Sequence, residues 1–527
     1  MSHWIIVPVL LPAVIASLIL LGGRDNTVLQ RCFSLAGCLG LLAVTVALLI
    51  HTLDAPPELY RLGAWPAPYG IVLVLDRLAA LMLVLTAALS ILVALYATGG
   101  WDKRGRHFHT LLQFQLMGVN GAFLTGDVFN LFVFFEVLLI ASYGLLLHGG
   151  GRMRLKVGVQ YVTINLIGST LFLFAVATLY GVTGTLNMAD LAVKLPTLAA
   201  GDGALVRTAA LLLLIVFAIK AAVVPLHFWL PGAYASASAP VAALFAIMTK
   251  VGVYSILRVY TLVFGADGGA AQWIAGPWLL PAALLTLVLG ALGVLAARRL
   301  VPLACFGLVA SVGTLLVAVG LFTESAIGAA LYYLIHSTVA SAALFLLADL
   351  VVMRRGEPAD SLMPAPPIRQ ESLLGGLFFV AAIALVGLPP LSGFVGKLLI
   401  LDASRDPQVQ GWVWAVILGT SLVMLVGFAR AGSVVFWKSA AAAPGGNGSA
   451  DPLRERLPVL PVVAAAATVA LPLLLTIFAG PVSGFARATA AQLFAPQAYI
   501  AAVLTPPPAE PAPAEDRTGG ASHGSGH

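Results

Sequence analysis

The chain has 527 residues, of which 60% are hydrophobic and 9% charged, and a mean hydropathy of +1.00. That balance excludes a soluble globular core and defines an all-α polytopic membrane protein. A net charge of +6 would suit an acidic partner, but the basic residues follow a topological pattern instead, so no nucleic-acid partner is expected.

The first apolar run lacks a basic leader and is followed by many more, so it reads as a spanning helix and not as a cleaved signal. A crossing needs roughly 20 apolar residues. Fourteen such runs follow in order, at about 3–22, 33–51, 71–97, 109–125, 128–148, 157–181, 207–236, 239–261, 278–296, 301–321, 326–352, 371–401, 411–437 and 457–483. Loops after odd-numbered helices hold sixteen of the 28 Lys and Arg, among them Arg24, Arg104, Arg152, Arg299, Arg355, Arg369, Arg454 and Arg456; the other loops and the tail hold six, including Arg517. The positive-inside rule then makes the first side cytoplasmic and places both termini outside. The Pro-, Ala- and Gly-rich tail 506–527, with His523 and His527, is expected to be disordered.

Helix seven contains FAIKAAVVPLHFWLPGAYASASAP, with Pro225 and Pro231 around His227, and helix twelve contains ALVGLPPLSGFVGKLLIL, with Gly387, Pro389 and Pro390. Proline removes an amide donor and clashes with the preceding turn, so both helices should be broken. Helix seven would run inward and helix twelve outward, which suggests two inverted five-helix repeats, helices 4–8 and 9–13. The resulting segments are 1–108 with helices 1–3, 109–261 with the first repeat, 278–437 with the second, and 457–483 with helix 14.

Glu136, Lys220, Lys250 and Lys397 each lie within an apolar run. A lysine at the bilayer centre costs roughly 2.5–3.5 kcal/mol on insertion scales, so such residues point to proton or cation movement. Other charges are read more plainly: Asp76, Arg77 and Arg258 as interfacial anchors, and Asp349 as locally paired. Cys32, Cys38 and Cys305 lack metal-ligand spacing and read as packing residues. No phosphate-binding glycine loop is present in a strand-to-helix context, so no cofactor and no metal are expected.

The segments GDVFNLFVFFEVLLIASY, PLHFWLPGAYASASAPVAALFAIMTKVGVYSILR, YYLIHSTVASAALFLL and GLPPLSGFVGKLLIL occur in that order. They resemble the antiporter-like subunits shared by respiratory complex I, membrane hydrogenases and the multisubunit Mrp (Mnh, Pha) monovalent cation/proton antiporters. The resemblance covers about residues 100–435, and MTKVGVYSILR with HSTVASAALFLLAD looks most like the Mrp D branch; a chain ending soon after helix fourteen fits that branch too.

The resemblance implies a helix-five glutamate at Glu136, its helix-seven lysine partner at Lys220, a central lysine at Lys250, a helix-eleven histidine at His336 and an outer lysine at Lys397. It implies a proton-translocating subunit, a secondary transporter and not an enzyme. Expected partners are protons, sodium or potassium, lipid, and subunits of types A, B, C, E, F and G in a bacterial inner membrane. The alternative is a proton-pumping subunit of complex I or a membrane hydrogenase. Gly232 and Tyr234 depart from the pattern, since many complex I members carry Asp and His there. In the expected relay, protons enter near His227 and pass through Lys220, Lys250 and His336 to Lys397. The plainer readings are a structural Glu136–Lys220 pair, a Lys397 that reaches the interface, and a His336 bonded to backbone.

Overall fold

The computed structural model describes residues 2–23, 25–356, 359–365, 368, 370–438 and 458–505. The expected disordered tail 506–527 lies outside the described residues, as do Arg24, Arg369, Arg454, Arg456 and Arg517 of the charge pattern.

Helices dominate. The N-terminal group is α1 (Val7–Gly22), α2 (Thr27–His51) and α3 (Arg77–Ala97). Next come α4 (Phe108–Leu124), α5 (Val128–Leu147), α6 (Arg152–Thr183), a short α7 (Met188–Lys194), α8 (Gly203–Ala221), α9 (Trp229–Ser236) and α10 (Ala239–Leu262). The second half holds α11 (Gly276–Ala296), α12 (Leu300–Gly320), α13 (Glu324–Arg355), α14 (Glu371–Val386), α15 (Ser392–Ala403) and α16 (Gln410–Gly432), and the end α17 (Val459–Ile477), α18 (Ala479–Phe494) and α19 (Gln497–Leu504).

Twelve described helices are long and apolar enough to cross a membrane unaided. The fourteen expected runs differ from them at two places. The fourth, α4, is 17 residues long and carries Gln113, Gln115 and Asn120, and the twelfth is divided into α14 and α15. The seventh is divided likewise into α8 and α9.

Three local readings are corrected. The helix expected from residue 71 starts at Arg77, because Val72–Leu75 is a strand (β2) paired antiparallel with Glu58–Arg61 (β1), and the Asp76 carboxylate caps α3 by accepting from the Ala79 amide. The run expected to 483 stops at Ile477 and restarts as α18, a helix that packs across α13. Arg258 is no interfacial anchor: its guanidinium donates to both oxygens of Asp76 at 2.7 and 2.8 Å, with both residues buried. Burial makes this pairing obligatory, since one charge without the other would be stranded. Arg77 does bond at the bundle surface, to the Thr52 and Leu53 carbonyls.

Helix α10 is buried along its whole spanning window, and α12 and α13 are buried over 83% and 89% of theirs, against 33% for α1, α2 and α16. The bundle therefore has a true centre, and α10 and α13 pack on each other there. Lys250 and His336 are carried by those two helices.

Candidate functional site

Lys220 lies in the last turn of α8, which ends at Ala221; Ala222 turns left-handed (φ +58°) and starts the break. Backbone left open inside a membrane bundle needs partners. Here the Val224 amide donates to Thr286 Oγ1 on α11 at 3.0 Å, and the Trp229 indole donates to the Ile219 carbonyl at 3.1 Å. Pro225 lies within the break, whereas Pro231 falls in the first turn of α9, where a missing amide costs nothing.

The Lys220 amine donates to Asn165 Oδ1 at 2.9 Å and lies 5.9 Å from the centre of the Phe135 ring. The Asn165 amide is itself fixed, donating to the Tyr161 carbonyl at 2.8 Å. Glu136 accepts from the Ser169 hydroxyl, one turn along α6 from Asn165. The acid and the amine interact electrostatically, yet no ion pair of 4 Å or less forms between them among the described residues. The expected partners are thus held apart by α6. A cavity of about 10 Å³ lined by Tyr161, Asn165, Lys220, Met248 and Val251 sits between Lys220 and α10, enough for a single water.

Glu136 is only half-buried, on an α5 face whose neighbours Phe129, Val133 and Ile140 are exposed. Lys250 is 0% exposed, and its amine has no hydrogen-bond partner among the described residues, an arrangement that is costly for a charged amine. The helix below it is close: a Cβ on Gly252 would lie 2.6 Å from the Ala221 amide of α8.

His336 is fully buried; its Nδ1 pairs with Ser392 Oγ at 2.9 Å and its Nε2 has no partner. The Ser392 hydroxyl is thus one partner, and the Ala384 carbonyl also acts on the ring, so the expected backbone contact is not overturned. Both Lys250 and Lys397 act electrostatically on it. Lys397 does not reach the interface. It is 5% exposed and donates to the Val386 carbonyl and to Ser421 Oγ, each at 2.7 Å. Val386 ends α14, so the amine occupies a carbonyl that the helix break sets free. Gly387 (φ +83°) makes room, since a Cβ there would lie 2.8 Å from Lys397 Cδ.

His227 is half-buried in the first break, with Nδ1 unpartnered. Asp349 is not paired with a neighbouring charge on its own helix: Oδ2 accepts from Tyr96 OH at 2.8 Å and from the Trp101 indole at 2.7 Å. Asn165, Ser169, Thr286, Ser392 and Ser421 were not foreseen; neutral polar residues in apolar runs carry no signal until their partners are known.

The chain belongs to the family described as NADH:quinone oxidoreductase/Mrp antiporter, transmembrane, whose pattern matches residues 125–425. The D subunit of a probable K(+)/H(+) antiporter of Rhizobium meliloti (strain 1021) is 40% identical over 96% of this chain and 98% of its own length. The D subunit of the Na(+)/H(+) antiporter of Bacillus subtilis (strain 168) is 38% identical over 96% of this chain and all of its own. Among solved structures, a chain of the Mrp complex from Dietzia sp. DQ12-45-1b superimposes with a TM-score of 0.84 at 30% identity, over 96% of this chain and 100% of that one. A chain of respiratory complex I from Thermus thermophilus matches at 26% identity and a TM-score of 0.76, over 93% of this chain and 99% of that one.

Proposed function

We propose that this chain is the D-type subunit of a multisubunit monovalent cation/proton antiporter and that it moves protons along Glu136, Lys220, Lys250, His336 and Lys397. The observation that carries the reading is the burial of three amines and an imidazole on the two broken helices and the two central ones, with the outer two amines bonded to neutral acceptors. Buried amines without fixed counter-ions suit transient charge, whereas a structural role would favour closed ion pairs. His227 stands beside the first break as a further candidate for proton exchange.

The subunit works in the bacterial cytoplasmic membrane with both termini outside, within a complex of A-, B-, C-, E-, F- and G-type subunits. Identities of 40% and 38% to D subunits of antiporters, against 26% to a complex I chain, favour the antiporter over the redox-driven alternative.

The test uses the assembled complex in inside-out vesicles. Lys220→Ala or Glu136→Ala should lower cation-dependent proton flux at least tenfold without loss of assembly. Wild-type flux in either correctly assembled variant would remove the relay.

A further inference from the structure

We propose that Asp349 is the proton-accepting group of a wet vestibule at the arginine-rich end of the bundle, and that this vestibule is the principal inlet to Lys250. The proposal rests on the relay reading above.

A cavity of about 180 Å³ opens where α9, α10, α12 and α13 meet Trp101, in the turn after α3, and the segment 359–360, with room for several waters. Trp101, Tyr234, Ala242, Arg299, Phe345 and Asp349 are among its lining residues. Asp349 is 9% exposed, and both hydrogen bonds it accepts come from neutral donors onto one oxygen. Among the described residues it forms no ion pair. Of the cations nearby, Arg299 is bound to Asp360 at 2.8 Å and Arg154 stands 5.7 Å from the Trp101 ring, while Arg104 stacks 3.8 Å above that ring and acts on Asp349 through space without pairing with it. Tyr96, Tyr234 and the Arg299-paired Asp360 are the other titratable groups around the site, and Tyr234 OH donates to the Phe245 carbonyl. A buried carboxylate without a cation is costly unless it takes a proton, a metal cation or water. The vestibule supplies water.

The cavity also points somewhere. Along α10, Ala239, Ala242, Ala246 and Lys250 follow one another at helical spacings of three and four, so one stripe leads from the cavity floor to the amine. Ala242 and Lys250 are eight residues apart, roughly 12 Å along the axis. Along α13, Asp349, Phe345 and Ser341 form the matching stripe. Ser341 Oγ and Lys250 Nζ are both buried and, among the described residues, without hydrogen-bond partners. Two unfilled polar groups therefore lie beyond the floor, on facing helices, where a short file of waters would complete both. His227 does not line this cavity.

In the step itself, hydronium in the vestibule transfers a proton to an Asp349 oxygen. The acid then returns it to water on the inner side, and an N–H bond forms at Lys250. No charge is created and no redox partner is needed.

The assembled complex in inside-out vesicles tests this with proton flux read against pH and against sodium or potassium concentration. Asp349→Asn should cut flux at least tenfold and flatten its pH dependence, with the cation KM unchanged, and Asp349→Glu should restore most of it. Ala242→Phe narrows the vestibule without touching the carboxylate and should give the same loss, which covers the case where Asp349→Asn fails to assemble. Wild-type flux and pH profile in Asp349→Asn would overturn the proposal. So would a shifted cation KM with an unchanged pH profile, which would make Asp349 a metal-cation site. Lys250→Ala separates the two readings: if it is inactive while Asp349→Asn is normal, only the inlet falls, and if Lys250→Ala keeps full flux, the relay falls as well.

Discussion

At the scale of single residues, the arrangement around Lys220 turns on α6. Asn165 takes the amine and Ser169 takes the acid, one turn apart on the same helix. If the proposed relay operates, each of these interactions competes with a direct Glu136–Lys220 contact, and the two neutral residues set how readily the pair opens and closes. Asn165→Leu and Ser169→Ala should each lower cation-dependent proton flux about three- to tenfold. Because both act on one pair, the double variant should lose less than the product of the two effects. Strict multiplicativity in a double-mutant cycle would show that the two residues act independently.

None of this was legible in advance. An Asn or Ser in an apolar helix looks the same whether it bonds its own backbone, as Thr163 does, or an ionisable group. The Asp76–Arg258 pair was hidden for a different reason: its members are 182 positions apart, and each alone looks like an ordinary residue at a membrane interface. Glu136, Lys220, Lys250 and Lys397 were visible because a charge in an apolar run is rare enough to stand out.

At the scale of elements, the helix breaks were readable because proline and glycine act on their own backbone. What satisfies each break was not, since Thr286 comes from another helix and Lys397 from beyond the break. The β1–β2 hairpin was missed because VLVL is too short and too uniformly apolar for its period to separate strand from helix.

Helix starts show a related conflict between capping and burial. Asp127 caps α5, accepting from the Asn130 amide at 2.8 Å, in the connection between α4 and α5. Burial pushes its carboxyl up to about 6, against the lowering by the Asn130 and Phe129 amides. A raised carboxyl contributes stability below its unfolded value near 4, and that contribution is lost as pH rises through about 6. Asparagine keeps the cap without the charge. Asp127→Asn should therefore be the more stable protein at pH 7 to 8, by about 1–3 kcal/mol, with the advantage vanishing near pH 4. Thermal unfolding of the detergent-solubilised complex across that range checks it; an advantage that does not change with pH would point to packing instead.

At the scale of the whole molecule, the inverted repeat was a weak expectation in sequence, carried by little more than PLHFW against PLSGF. The helix packing carries a spacing of its own, which bears on a repeat and not on its inversion. A Cβ on Gly118 would lie 2.6 Å from the Leu138 amide, and one on Gly121 would lie 2.1 Å from the Phe134 ring, which brings α4 against α5. A Cβ on Gly290 would lie 2.5 Å from the Ala310 amide, and one on Gly293 would lie 2.2 Å from the Phe306 ring, which brings α11 against α12. Positions 118 and 290, 121 and 293, 134 and 306, and 138 and 310 all differ by 172. The packing partners correspond too: α6 with α8 and α13 with α14, α8 with α10 and α14 with α16, α4 with α10 and α11 with α16.

The chemistry does not follow this spacing. Glu136 falls opposite Leu308 at the same offset, so the acid has no counterpart at that position of the second unit. If the two units share their packing, they should share its response to mutation. Gly118→Ala and Gly290→Ala meet backbone, which cannot move aside, whereas Gly121→Ala and Gly293→Ala meet a ring that can turn. The first two should each lower stability by roughly 1–3 kcal/mol through overpacking, and the second two by less, in the same order within each half. Thermal unfolding of the four variants in the assembled complex reads that order directly, and a ranking that reverses between the halves would mean that the shared spacing is not a shared construction.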